Sequence, residues 1–83
     1  MKNIKVEVLK EKSKNQKYYA MVEISVEQKR IFGFVVEDDD IAIEGIGNDI
    51  EQANKIYSYV SEMDISSINL DEVIRDLRID FFV

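Results

Sequence analysis

The chain contains no histidine, no cysteine, no tryptophan and no proline, and only three glycines in 83 residues. Each absence removes chemistry. Without cysteine there is no disulfide staple and no thiolate metal site. Without histidine and cysteine, catalysis is left to carboxylate pairs, lysine, serine or tyrosine. The pair Gly45 and Gly47 lacks the third glycine of a dinucleotide loop, and no Gly-Lys-Ser/Thr phosphate loop occurs. No apolar run approaches the ~18 residues of a membrane span. Met1-Lys2-Asn3-Ile4-Lys5 interrupts its apolar residues with charge, unlike a signal peptide. The expectation is a non-enzymatic, cytoplasmic protein with no cofactor and no membrane contact.

What is present suits one small globular domain spanning 1–83. Hydrophobic residues make up 46% of the chain, enough for a core and too many for wholesale disorder. A chain this short buries roughly 60–65% of its unfolded surface, and a net stability of about 4–12 kcal/mol follows from per-residue averages. Charge divides the sequence. Residues 1–30 hold eight Lys/Arg and four Glu, whereas residues 31–83 hold three Lys/Arg and thirteen Asp/Glu, for a total of −6. Such polarity concerns partners more than fold. The acidic total disfavours nonspecific nucleic-acid binding, which relies on cationic groups.

The hydrophobic period changes once, near Gly45-Ile46-Gly47. Before it, Ile4, Val6 and Val8 alternate with charge. Tyr18, Ala20, Val22, Ile24 and Val26 form a second alternating series, Phe32, Phe34 and Val36 a third, and Ile41 and Ile43 a short fourth. Ser13-Lys14-Asn15-Gln16 and Gln28-Lys29-Arg30 read as breaks, and Glu37-Asp38-Asp39-Asp40 as a loop. After it, Asn48 with Glu51 has capping-box spacing, and Ile50, Ala53, Ile56, Tyr57, Val60 and Met63 share a helical face. Asn69 with Glu72 would cap a second helix, stapled by Ile68 and Val73. Its stripe is Leu70, Val73, Ile74, Leu77 and Phe81, although residues 78–83 also alternate like a strand. The fold class expected is α+β: a three- to four-stranded antiparallel meander followed by two helices packed on one face.

In that arrangement the even strand positions face the helices. The odd face should be polar, yet it holds Leu9, Tyr19, Met21, Ile31 and Val35 among Lys5, Glu7, Glu23, Ser25 and Glu27. Pairing Val8 with Ala20 sets Leu9 opposite Tyr19 and Lys5 opposite Glu23, both favourable. An apolar patch rimmed by charge is the expected look of a protein interface, with another protein or in a homodimer. Leu9, Tyr19, Met21, Ile31 and Val35 are therefore the candidate interface residues.

Other constellations fit less well. The acidic run misses the EF-hand pattern, because counting from Asp38 places Ile43 sixth and Asp49 twelfth. Lys10, Lys12, Lys14 and Lys17 beside Tyr18 and Tyr19 form a basic and aromatic cluster of the kind that grips single-stranded nucleic acid, though lysine also guards hairpin tips and sheet edges. Asp49, Glu51, Glu62, Asp71, Glu72, Asp76 and Asp80 make an acidic helix layer that could block a nucleic-acid-binding protein. First-turn acids equally stabilise helix N-termini. In the meander, the first hairpin tip and the acidic loop leave the sheet at the same end, so Lys12, Lys14 and Lys17 are placed to balance Asp38, Asp39 and Asp40.

Three segments together resemble a family of small uncharacterised Firmicute proteins, a domain of unknown function. They are Phe32-Gly33-Phe34-Val35-Val36-Glu37, Ile43-Glu44-Gly45-Ile46-Gly47-Asn48-Asp49, and Ile65-Ser66-Ser67-Ile68-Asn69-Leu70-Asp71-Glu72-Val73-Ile74-Arg75-Asp76. The likeness covers about residues 18–77 and departs at Ser67-Ile68-Asn69, where such proteins have Pro-x-His. It implies strands before helices and assigns no activity or binding residue.

Overall fold

The computed structural model describes the backbone of residues 3–82 and the side chains of residues 3–77. Strands β1 (Ile4–Lys14), β2 (Lys17–Val26), β3 (Lys29–Glu37) and β4 (Ile41–Gly45) form one antiparallel sheet in sequence order. Helices α1 (Ile50–Glu62) and α2 (Leu70–Phe82) follow, with a 3₁₀ turn at Ser67–Asn69 between them. Helix α1 packs on β2 and β3, and α2 on β4 and α1, so one sheet face is covered. Helix α2 continues to Phe82, which decides residues 78–82 in favour of helix. The side chain of Phe81 lies outside the described residues, as do Met1, Lys2 and Val83. No helix among the described residues is long and apolar enough to cross a membrane.

The register explains which face is covered. The first hairpin closes with two residues, Asn15 and Gln16, both at positive φ (52° and 64°), the requirement of a type I′ turn. The second closes on Glu27-Gln28 and pairs Val26 with Lys29. That is one residue earlier than a break at Gln28-Lys29-Arg30 would give. Because side chains alternate with period two, the one-residue difference exchanges faces between β2 and β3. Tyr19 and Met21 thus share a face with Val36 and Phe34, while Ala20, Val22 and Ile24 share the opposite face with Val35, Gly33 and Ile31. A bulge between Val8 and Lys10 turns β1 as well: Val8 pairs with Val22 rather than Ala20, and Lys10 with Met21. Leu9 sits in the bulge and packs against the core.

The core lies between the helices and this face. It comprises Tyr19, Met21, Phe32, Phe34, Val36 and Ile46 from the sheet side, and Ala53, Ile56, Tyr57, Val60, Leu70, Ile74 and Leu77 from the helices. Phe34 is its centre, with tilted ring contacts to Tyr19 at 6.4 Å and Tyr57 at 5.6 Å. Ile46 and Gly47 extend the ladder beyond β4 through hydrogen bonds with Phe32 (2.9 and 2.7 Å), and Gly47, at φ +86°, then releases the chain toward α1. The periodic stripe of α1 is as expected in its middle, whereas Ile50 and Met63 at its ends are exposed.

Both helix starts differ from expectation. Asp49, not Asn48, caps α1, accepting from the backbone N–H of Glu51 (2.9 Å) and Gln52 (3.3 Å). A charged cap so placed also answers the positive helix end. Ile68 is exposed and makes no staple, because the 3₁₀ turn precedes α2. Asn69 is the last residue of that turn and its side chain donates to Ser66 Oγ (3.2 Å), while the turn's first residue is capped by Asp38, which accepts from the Ser67 N–H (3.0 Å) and hydroxyl (2.7 Å).

Candidate interaction face of the sheet

The face away from the helices carries Ile4, Val6 and Val8 from β1, Ala20, Val22, Ile24 and Val26 from β2, Ile31 and Val35 from β3, and Ile41 and Ile43 from β4. Ile4, Val6, Val8, Ile31, Ile41 and Ile43 are each between 47% and 65% exposed. Ala20 and Val22 are buried although they stand outside the helix-packed core, since neighbouring strands crowd them. Gly33 lies among them: a Cβ there would meet Val22 Cγ2 at 3.2 Å and Ile24 Cδ1 at 3.6 Å. Charge on this face lies at its margins. The register places Glu37 beside Tyr18 in the row nearest the first hairpin tip and Lys29 in the row at the opposite end, with Glu11 on the edge strand β1 opposite Ala20. The Tyr18 hydroxyl donates to Glu11 Oε2 at 2.8 Å, and that bond to a carboxylate is the main influence pushing the phenol up.

Of the five residues expected on an open apolar face, Ile31 and Val35 lie on it. Tyr19 and Met21 are buried in the core and Leu9 packs against it, which corrects their placement. Among the largest exposed members, Ile4, Val6 and Val8 were expected to face the helices, whereas Ile41 and Ile43 were expected as a short fourth strand with no face assigned. The signal that could have found them is the length of the second turn, since two-residue loops are the commonest hairpin connection.

The first hairpin end of the sheet is polar. Asn15, Gln16, Lys17, Asp38, Asp39, Asp40 and Ser66–Ile68 line a cleft of about 300 Å³, so the first hairpin tip and the acidic loop are neighbours. Their charges are used differently from the expected lysine–aspartate balance. Lys17 pairs with Asp64 at 3.3 Å, and Lys14 donates to the Glu62 carbonyl at 3.1 Å. Lys10 lies 5.8 Å over the Tyr57 ring. Asp64 occupies a left-handed position (φ +59°) after α1, where Ile65 N–H reaches back to the Val60 carbonyl in a Schellman closure. Partial burial pushes the Asp64 carboxyl up, but the Lys17 ammonium and the Tyr19 hydroxyl outweigh it and the net shift is downward. The Tyr19 hydroxyl donates to the Ile65 carbonyl (3.0 Å) and Asp64 (3.3 Å), and burial first, then the Asp64 charge, push its phenol up to about 12. Asp38 is held down at about 2 by the Ser67 hydroxyl, the Ser67 N–H and the Asp40 N–H. These carboxylates act as caps and ties for the helices. Among the described residues, no group of three or more acidic, histidine or cysteine side chains is arranged to hold a metal ion.

No family model, curated protein or solved structure matches the chain.

Proposed function

We propose that this protein is a non-enzymatic interaction module that docks onto a protein partner through the open face of its sheet. The observation that carries the reading is the contiguous set of exposed Ile and Val side chains on the face the helices leave uncovered. Together they expose the equivalent of about three and a half full side chains, so covering them is worth about 5–10 kcal/mol at ~1.5–3 kcal/mol each. That exceeds what scattered surface residues of a monomer offer and matches the apolar centre of an interface. The polar rim at Glu11, Glu37 and Lys29 would set orientation rather than affinity. A reducing compartment such as the cytoplasm suits a fold that uses no disulfide.

The test is Val6→Lys and Ile43→Lys, two exposed positions whose substitution leaves the core untouched. Each should retain the circular dichroism spectrum and lose a partner that the unaltered protein retains in co-purification or sedimentation. Retention of every partner by both variants would defeat the reading.

A further inference from the structure

We propose that the occupant of the open face is a second copy of this chain, packed face to face about a two-fold axis that crosses the strands at Gly33; the inference rests on the docking reading above and names its partner. Three features carry it. The first is size. Strands of nine to eleven residues, about 4.8 Å apart, give roughly 500 Å² of face per copy and about 1,000 Å² in a pair, the lower bound for a specific interface.

The second is the charge pattern. An axis parallel to the strands would set the Glu37 ends of both copies at the same end of the pair. An axis across them sets each Glu37 end over a Lys29 end, while Glu11, on the edge strand in the row of Ala20, meets the second copy's Val6. Lys29 and Glu37 stand on the open side of β3, four residues either side of Gly33. Rotation about Gly33 therefore brings each Lys29 over the second copy's Glu37, and each Ile31 over the second copy's Val35. On β2 the axis passes Val22, the partner of Gly33, and Ala20 meets the second copy's Ile24.

The third is relief. Val8, Val22, Gly33 and Gly45 form one cross-strand row, and Gly45, with open space where a Cβ would stand, leaves a low point at which the sheets can approach. Val22 and Ile24 already lean over Gly33.

The cysteine-free chain makes the geometry directly testable. Val8, half exposed and on the axis row, should meet its own counterpart. Val8→Cys should be joined to a dimer by a bismaleimide of about 10 Å reach, the spacing of packed sheets. Ile41→Cys, four residues off the row and so roughly 26 Å from its counterpart, should not. In sedimentation equilibrium, Lys29→Glu and Glu37→Lys should each weaken the dimer about tenfold, because two ion pairs become two repulsions, and the double variant should recover it. A chain that stays monomeric at about 1 mM, well above the range such interfaces reach, overturns the proposal. So does a dimer indifferent to the charge reversals, or one that links through Ile41→Cys instead. Monomeric protein that binds another partner and loses it on Ile43→Lys overturns the second copy and leaves the docking reading standing. Partner binding indifferent to Val6→Lys and Ile43→Lys defeats the docking reading itself.

Discussion

Truncating Met21 and Ile43 to alanine, one at a time, asks directly which face of the sheet is the interior. Met21 is 1% exposed, on the same face as Phe34, whereas Ile43 is 63% exposed on the opposite face. Met21→Ala deletes buried atoms beneath the helices and leaves a cavity, which costs about 2–5 kcal/mol. That is a large part of a net stability of about 4–12 kcal/mol. With a urea slope of about 1 kcal/mol/M, the midpoint should fall by roughly 2–5 M or the variant should be unfolded without denaturant. Ile43→Ala removes a side chain only about a third of which is sheltered, so its cost is about 0.5–1 kcal/mol and its midpoint shift under about 1 M. Both curves should be recorded at low micromolar protein, since association through the open face would add apparent stability at Ile43. Far-ultraviolet circular dichroism in urea gives both numbers. A loss at Ile43 equal to that at Met21, or a loss under about 1 kcal/mol at Met21, would refute the register that exchanges faces between β2 and β3.

Tyr19→Phe should cost about 1–2 kcal/mol in urea unfolding, because Ile65 and Asp64 lose a shared donor. Its raised phenol pKa means the stabilisation is complete below the ordinary value of 10.0 and is lost as pH rises toward about 12. The variant should therefore show a shallower alkaline decline, and an unchanged decline would refute the assignment. Asp38, held at about 2, contributes stability that is complete above its ordinary 3.8 and lost as pH falls through about 2. Asp38→Asn should consequently lower the urea midpoint at pH 7 far more than at pH 2, and equal losses would argue against its capping role. Gln16→Gly should raise stability by about 0.5–1 kcal/mol, by relieving a side chain held at φ 64° in the type I′ turn; thermal unfolding that shifts downward would count against that turn.

Much of this architecture is legible in the sequence. Alternation marked the four strands, and the 3.6-residue stripes of Ala53, Ile56, Tyr57 and Val60, and of Leu70, Ile74 and Leu77, marked the helix faces that are buried. Periodicity is a local property, set by residues within a few positions of one another. The existence of an uncovered apolar face was legible too, because both strand parities carry apolar side chains.

Which residues occupy that face is a relation between strands, and local pattern does not encode it. One residue in the Glu27-Gln28 turn and one bulge at Leu9 decide it. They send Tyr19 and Met21 under the helices and leave Ile31 and Val35 outside with Ile4, Val6, Val8, Ile41 and Ile43. The Asp38 cap on Ser67 and the Tyr19–Asp64 tie, spanning 29 and 45 residues of sequence, were likewise beyond local reading. The sequence alone determined the elements and their order, since hydrophobic period and turn chemistry act at short range. Only the tertiary structure decided which face is core and which is surface, since with a side-chain period of two a single residue of register exchanges them.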